Sequence, residues 1–499
     1  MSYKKTLSLF GQMALFALAL GLSAPAQNLA EFEKKVTEFT LDNGLKFILL
    51  ERHDVPVTCF LTYANVGSVD EVPGITGIAH IFEHMAFKGS SRIGTRNYAA
   101  EKAAMEWTDR LFLEIKKERQ KGAKANPARL EELQKQLEAT QKECDQYLIH
   151  DEYETALERE GNSFLNAFTS EDYTGYISAL PSNKLELWMS LESERYYDPV
   201  LREFYKERDV IAEERRLGEN VPMGRLNEEF FACAFKAHPY GVPVVGHMSD
   251  IQSITRAEAE TWFAKYYGAA NLIIAIVGDV NPSEARSLAE TYFGRLPRKE
   301  KPGPVETVEP EQPGERRCTV VAKAQPRVLI GYHRPAFNHP DNPVFEVVSE
   351  IIGRGRTSRL YRTLVKEKKM AVSVYVNTAS AAKYPSLFYY MAIPAKEHSA
   401  EENEKAIYAE IEKLRQELVT PEELQKAKTR VKADLIRQLN DNFSLCYSLV
   451  SFETLTGDWR DMFRTVDRIA KVTAEDVQRV AKQYFTVKNR TVATLITEE

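Results

Sequence analysis

Cysteine is scarce in this sequence: its 499 residues include only five cysteines, Cys59, Cys144, Cys233, Cys318 and Cys446. They are widely spaced, odd in number and contain no CxxC pair, which excludes a disulfide framework and a cysteine zinc site. We expect most of them to be buried as small apolar side chains. Formation of one disulfide remains an alternative if the chain resides in an oxidising compartment.

A strong charge of either sign is also lacking, because the formal net charge is only -6. This argues against a nucleic-acid partner, which needs a basic face, and it does not indicate a membrane surface. The contents of 43% hydrophobic and 28% charged residues are typical of a soluble globular protein. A chain of this length is expected to form at least two domains.

Long apolar runs are absent except at the N-terminus, where two lysines precede the run from Leu7 to Leu22. Small residues at 23–26 follow, so residues 1–26 are predicted to be a secretory signal peptide. We therefore expect a secreted protein with no stable membrane span after cleavage. The alternative is a membrane anchor, but Gly11, Gln12 and Gly21 interrupt a run already short for one.

The remaining chain divides at a segment rich in proline and charge, residues 297–316, which we interpret as a linker. The parts on either side, 27–296 and 317–499, end alike. Thr255 and Thr473 each precede a helical pattern, and Asn271 and Asn489 follow 16 residues later, just before an apolar strand. We predict an α+β protein of two homologous domains, each a mainly antiparallel sheet with helices packed on one face.

Two local patterns refine this prediction. Residues 99–150 form an insertion in the first domain, in which Asn126 is expected to cap a second helix that starts at Pro127. We interpret it as an antiparallel helical hairpin, a solvated arm rather than a partner-binding one. Near the start, Asn43-Gly44 between apolar runs predicts a β-hairpin whose two central residues both have positive φ.

The segment from Gly74 to Phe87 carries the chemistry. On a helix, His80 and His84 lie on one face and can bind one metal ion, while Glu83 lies beside them to accept a proton from water. Two imidazoles and one carboxylate leave a coordination position open, as hydrolytic zinc requires. The alternative is a buried helix whose histidines are only hydrogen-bonded, which we consider weaker because unpaired polar groups are costly to bury.

A third ligand has to come from elsewhere, and the segment 207–216 offers carboxylates. Glu207 and Glu214 are seven residues apart, so two helical turns place them on one face. Glu214 could bind the metal while Glu207 orients a histidine. Taken alone, this charged run favours a solvated helix.

The motifs together resemble the pitrilysin/insulinase family of zinc peptidases, which includes mitochondrial processing peptidase and its bacterial relatives. The resemblance covers almost the whole chain after residue 26, apart from the insertion. The matching segments are 41–45, 77–89, 166–170, 207–214, 238–241, 271–279 and the glycine-rich loop 353–360. It implies Glu214 as the third zinc ligand, with Glu207 behind a ligating histidine. Glu213, the neighbouring rival, would point away.

The resemblance also implies a function. Substrates would bind as an added strand on an open sheet edge, with Asn166 and Ala167 holding the peptide backbone beside the zinc. The expected activity is that of a zinc endopeptidase on peptides or unfolded segments, with Glu83 as the general base. The alternative is a non-catalytic assembly subunit of the same fold, which the intact motif disfavours.

One departure from the family pattern concerns the partner. Active members carry an arginine and a tyrosine after the glycine-rich loop, whereas this chain has Val365 and Val372 at those positions. We therefore expect a zinc-bearing subunit that pairs with a zinc-less paralogue supplying the Arg/Tyr pair, with a homodimer as the other arrangement. Arg359 or Arg362 could substitute for the missing arginine.

Overall fold

The computed structural model describes residues 32–378 and 382–498, so the predicted signal peptide lies outside the described residues. In the first half the strands are β1 Val36–Thr40, β2 Lys46–Glu51, β3 Val57–Ala64, β4 Phe164–Thr169, β5 Thr174–Pro181 and β6 Leu272–Gly278. The helices are α1 Ile78–Met85, α2 Tyr98–Arg119, α3 Pro127–Asp145, α4 Glu152–Arg159, α5 Leu185–Tyr197, α6 Phe204–Asn220, α7 Pro222–Ala234, α8 Met248–Ile251, α9 Arg256–Tyr266 and α10 Pro282–Tyr292.

The second half repeats this mixture of strands and helices. Its strands are β7 Arg316–Ala322, β8 Arg327–Arg334, β9 Ala371–Thr378, β10 Ser386–Pro394 and β11 Arg490–Thr497. Its helices are α11 Asn342–Ile352, α12 Ala400–Gln416, α13 Pro421–Gln438, α14 Asn442–Thr456, α15 Asp461–Lys471 and α16 Ala474–Tyr484, with a π-helical segment at Tyr361–Glu367.

Each half forms one sheet, and the two sheets are built alike. Their strand orders are β1-β2-β6-β3-β5-β4 and β7-β11-β8-β10-β9. The final strand of each half, β6 or β11, pairs in parallel with one neighbour, and the other pairings are antiparallel. The expected α+β fold with two homologous, mainly antiparallel domains is therefore confirmed.

The ends of the two halves have the same local chemistry. Thr255 and Thr473 each form a capping box with the acidic residue three positions later. The side chain of Asn271 donates hydrogen bonds to the carbonyl oxygens of Tyr266 and Asn65. In the same way, the side chain of Asn489 donates to the carbonyl oxygens of Tyr484 and His333. In both copies the asparagine thus links the end of a helix to a neighbouring strand of the sheet.

The two halves exchange one helix each. Helix α7 of the first half packs on β7 and β11, and α14 of the second half packs on β3 and β6. Phe230 in α7 and Leu449 in α14 are fully buried in these contacts. Each sheet therefore has helices of its own half on one face and a helix from the other half on the opposite face. The sequence pattern does not reveal this exchange.

The insertion is a helical hairpin, but it is docked rather than free. Helices α2 and α3 pack together through Leu111, Ile115 and Leu133, and the Asn126 side chain caps α3 as expected. Helix α2 packs on α6 through Phe112, whose ring is tilted by 30° against that of Tyr205 at a ring-centroid distance of 4.5 Å. The expectation of a purely solvated arm is therefore too simple.

The turn between β1 and β2 differs from the predicted one. Gly44 has a φ of 94°, whereas Asn43 is not among the residues with positive φ. Instead, the buried Asn43 side chain donates to the carbonyl oxygens of Phe293 and Leu296. The five residues 41–45 separate the two strands, so the connection extends beyond the predicted Asn43-Gly44 turn on both sides.

Among the described residues, no helix combines the length and the apolar character needed to cross a bilayer.

Candidate metal centre and active site

Helix α1 presents the histidines from a fixed platform. Ile78, Ile81, Phe82 and Met85 are buried in the core of the first half. At the start of the helix Gly77 has a φ of 91°, and a Cβ there would lie 2.4 Å from the carbonyl oxygen of Val245. The buried Glu71 carboxylate accepts hydrogen bonds from the backbone N–H groups of Gly77 and Ala79 at 2.8 and 2.9 Å. Position and direction of α1 are thus set by packing and by capping.

The structure brings His80, His84 and Glu214 together. One potential ligand atom from each residue lies within 4.8 Å of the other two. The two imidazole rings are 5.0 Å apart and nearly perpendicular, and His80 Nε2 is 3.8 Å from Glu214 Oε2. Two imidazoles and one carboxylate are the donor set of many hydrolytic zinc sites, so these residues fit a zinc ion.

Helix α6 separates the roles of its carboxylates. Glu214 points toward His80, whereas the neighbouring Glu213 forms an ion pair with Arg216 away from the histidines. Two turns earlier, Glu207 Oε2 lies 3.4 Å from His84 Nδ1. Lys88 Nζ donates to the other oxygen of Glu207 at 2.5 Å. The Lys88–Glu207–His84 chain leaves Nε2 of His84 as the nitrogen available for a metal ion.

The two histidines lie in different electrostatic environments. Burial lowers the pKa of His80, and its Nδ1 is a buried atom without a hydrogen-bond partner among the described residues. The hydrogen bond with Glu207 raises the pKa of His84 above its ordinary value. Burial alone would raise the pKa of Glu207, but hydrogen bonds from His84 and Lys88 lower it to about 2. Glu207 is therefore an anion at neutral pH.

Glu83 is held beside this cluster by Thr169 at the end of β4. The Thr169 hydroxyl donates to Glu83 Oε2 at 2.6 Å. Burial raises the pKa of the Glu83 carboxyl above its ordinary value, against the effect of this hydrogen bond. One oxygen of Glu83 is thus fixed by a hydrogen bond.

Asn166 and Ala167 lie on β4, which is the edge strand of the first sheet. On one side β4 pairs with β5, with Asn166 opposite Ile177 and Ala167 opposite Tyr176. On the other side no strand of the described chain pairs with it. Helix α1 packs against β4, so the open backbone edge runs beside the His/Glu cluster.

In the second half, the positions that depart from the family pattern are apolar and partly open. Val372 lies on β9, the edge strand of the second sheet, and is 58% exposed. Val365 lies in the π-helical segment and packs against the core. Arg359 is held by a bidentate pair with Glu423, with both contacts at 2.8 Å. Arg362 is mostly exposed, with Glu367 as a distant partner at 3.6 Å.

Sequence reasoning did not assign roles to Thr169, Lys88 or Glu71. Lys88 lies four residues after His84 but beyond the end of α1 at Met85, so helical spacing does not account for its contact with Glu207. Thr169 and Glu71 touch α1 only through tertiary packing, so spacing along the chain could not reveal them.

A two-domain α+β chain with two histidines, a distant carboxylate and a further glutamate beside an open strand edge defines a metallopeptidase-like protein. The family model for insulinase (peptidase family M16) matches residues 49–109, and the model for the peptidase M16 inactive domain matches residues 253–431. The chain belongs to this pitrilysin/insulinase family, M16.

Relatives and solved structures agree with this membership. The chain is 29% identical to zinc protease PqqE of Helicobacter pylori, over 96% of both chains. The crystal structure of a protease from Helicobacter pylori has a TM-score of 0.77 and 28% identity, covering 92% of this chain and 99% of that one. The periplasmic protease PqqL from Escherichia coli matches in fold, with a TM-score of 0.70 and 16% identity, covering 93% of this chain and 48% of that one. Similarity to named zinc proteases supports a peptidase-type function.

Proposed function

We propose that this protein is a zinc-dependent endopeptidase that cleaves peptides or unfolded polypeptide segments. The observation that carries the proposal is the convergence of His80, His84 and Glu214 beside Glu83, next to the open edge of β4. His80, His84 and Glu214 would hold one zinc ion per chain. When bound, zinc supplies a Lewis acid that polarises a scissile carbonyl and acidifies water.

The chain's own residues supply binding and proton transfer. A substrate strand adds to β4, where backbone groups around Asn166 and Ala167 align it and place few demands on its sequence. Glu83 accepts a proton from the attacking water on its free carboxylate oxygen and passes it to the leaving amine. Thr169 keeps the other carboxylate oxygen in place. Glu207, itself held by Lys88, orients the imidazole of His84.

The test separates metal binding from chemistry. Glu83→Gln should retain zinc, measured by elemental analysis, and lose cleavage of a peptide library. Glu214→Gln should lose both, whereas the matched control Glu213→Gln should keep both because Glu213 faces Arg216. Zinc retained at full level in Glu214→Gln, or full cleavage by Glu83→Gln, would contradict the assignment.

We further propose that the active form is a dimer in which this chain is the zinc-bearing subunit. The side chains of Val365 and Val372 cannot donate hydrogen bonds to a substrate backbone, and Arg359 is engaged by Glu423. A zinc-less paralogue that carries an arginine and a tyrosine at these positions is therefore the preferred partner over a second copy of this chain. The site of action proposed is the bacterial periplasm.

Reconstitution distinguishes the arrangements. The purified chain alone should cleave peptides slowly, and addition of the zinc-less paralogue should raise the rate strongly. Equal rates with and without that paralogue would contradict the heterodimer. Introducing the pair as Val365→Arg with Val372→Tyr should raise the activity of the single chain.

A further inference from the structure

Four of the five cysteines form two pairs across the exchanged helices. Cys233 on α7 faces Cys318 on β7, and Cys446 on α14 faces Cys59 on β3. Each pair joins one cysteine from before the linker with one from after it. The cysteines are therefore scattered along the chain but matched in space.

The contact between Cys233 and Cys318 is supported from both sides. Sγ of Cys318 lies 3.5 Å from the carbonyl oxygen of Glu229, which is one helical turn before Cys233 and hence adjacent to its backbone nitrogen. Arg316, on the same face of β7 as Cys318, has its Nη1 3.4 Å from the carbonyl oxygen of Cys233. These two contacts place the thiols of Cys233 and Cys318 beside each other between α7 and β7.

The two thiols of this pair differ in pKa, and both are partly accessible to solvent. The hydrogen bond from Cys318 and the nearby Arg316 charge lower the pKa of Cys233 to about 7, while the same contact raises the pKa of Cys318. Both side chains are only partly buried. A partly exposed thiolate beside a cation is the arrangement found at redox-reactive cysteines.

We propose that Cys233 and Cys318 form a disulfide that ties α7 to β7 when the protein meets a small-molecule disulfide oxidant. The Cys233 thiolate attacks one sulfur of oxidised glutathione, whose S–S bond breaks and releases one glutathione thiolate. Cys318 loses its proton to solvent and attacks the Cys233 sulfur, which releases the second glutathione. Two protein thiols are oxidised, and one glutathione disulfide is reduced to two thiols.

The second pair provides an internal contrast. Cys446 is fully buried, and its Sγ lies 3.5 Å from the carbonyl oxygen of Cys59 and 3.8 Å from that of Ala275. Burial raises the pKa of this thiol well above its ordinary value. An oxidant in solution therefore cannot reach a thiolate there, and the pair stays reduced in the folded protein.

Disulfide mapping of the full chain tests the proposal. Reduced protein is incubated with oxidised glutathione under native conditions, denatured in an alkylating agent, digested and analysed by mass spectrometry. The expected product is a linked peptide containing Cys233 and Cys318, with Cys59 and Cys446 alkylated. Complete alkylation of Cys233 and Cys318 after oxidation, or a linkage of either to another cysteine, would overturn it.

Melting temperatures of matched variants test whether the disulfide stabilises the folded protein. Oxidised wild type should melt at a higher temperature than reduced wild type, since the bond closes a long loop in the unfolded chain. Cys144→Ser should show the same gain, because the described contacts of Cys144 include no other cysteine. Cys318→Ser should lose the gain and accumulate a Cys233–glutathione mixed disulfide. A gain of equal size in Cys318→Ser would contradict the proposal.

Discussion

At the scale of single residues, three glutamates on α6 point in different directions and contact different partners. Glu207 binds His84 and Lys88, Glu213 turns to Arg216, and Glu214 faces His80. Helical geometry alone separates the three directions, because Glu207 and Glu214 share a face that Glu213 does not. A carboxylate that touches a ligand rather than the metal is expected to affect affinity more than chemistry.

The first prediction concerns this indirect role. Glu207→Gln should weaken zinc binding by about 10–100-fold, because an amide orients and polarises His84 less than a carboxylate does. Competition with a chromogenic chelator measures the affinity. Glu213→Gln is the matched control, because Glu213 lies on the same helix and pairs with Arg216 instead. Unchanged affinity in Glu207→Gln would show that His84 needs no support from Glu207.

The site could be predicted from sequence only in part. His80, Glu83 and His84 lie within one helical turn and a half, so their common face follows from periodicity. Glu214 is 130 residues beyond His84, and its role came from family resemblance and not from spacing. The Thr169 contact to Glu83 spans 86 residues and depends on how α1 packs against β4. Such contacts are tertiary, and no local pattern encodes them.

At the scale of elements, the insertion supports the helix that carries the carboxylates. Phe112 of α2 is 2% exposed and packs against Tyr205, and the buried Arg208 guanidinium lies 4.3 Å from the Phe112 ring centroid. Arg208 adjoins Glu207 in α6. The hairpin thus packs beneath α6, the helix that carries Glu207 and Glu214.

The second prediction tests whether the packing of α2 against α6 stabilises the protein. Phe112→Ala should lower the free energy of unfolding by about 3–5 kcal/mol, because it leaves a cavity under α6. Leu113→Ala, at the next position and 43% exposed, should change it by less than about 1 kcal/mol. Urea denaturation of the two variants provides the measurement. Equal effects would mean that α2 only rests on the surface of α6.

Helix starts were predictable because capping is local. Asn126, Thr255 and Thr473 cap the helices expected of them. The conformation of the turn at Asn43 was not predictable, because the Asn43 side chain binds a carbonyl group 250 residues away in the sequence. Local rules therefore hold where the partners are local.

The third prediction concerns the start of α13, where Glu423 joins the capping box of Thr420 and pairs with Arg359. The Arg359 hydrogen bonds lower the pKa of Glu423 from 4.5 to about 2. A carboxyl with a depressed pKa stabilises the fold above its ordinary pKa and loses this effect as pH falls through the lower value.

Wild type should therefore exceed Glu423→Gln in free energy of unfolding at neutral pH, and the difference should shrink as pH falls from 4.5 to about 2. Metal-free protein is used, since zinc release at low pH would add its own effect. The neighbouring and exposed Glu422, changed to Gln, should give only a small difference at neutral pH. A constant difference for Glu423→Gln would refute the assigned pKa.

At the scale of the whole molecule, the helix exchange makes the two halves depend on each other. Apolar periodicity in α7 and α14 indicates a buried face but not the sheet on which it packs, so the exchange appears only in the folded chain. Phe230 of α7 occupies the space left by Gly331 of β8, where an added Cβ would lie 2.5 Å from the Phe230 ring. The aromatic ring therefore comes from the first half, and the glycine that makes room for it comes from the second half.

The fourth prediction measures this dependence as a coupling energy. Phe230→Ala should cost about 3–5 kcal/mol through its cavity, and Gly331→Ala about 1–3 kcal/mol through overpacking. In the double variant the added methyl group meets no ring, so the combined loss should fall short of the sum by about 0.5–3 kcal/mol. Gly303→Ala, in open space within the predicted linker, should add independently to Phe230→Ala. Strict additivity of Phe230→Ala with Gly331→Ala would mean that the exchanged helix does not carry stability between the halves.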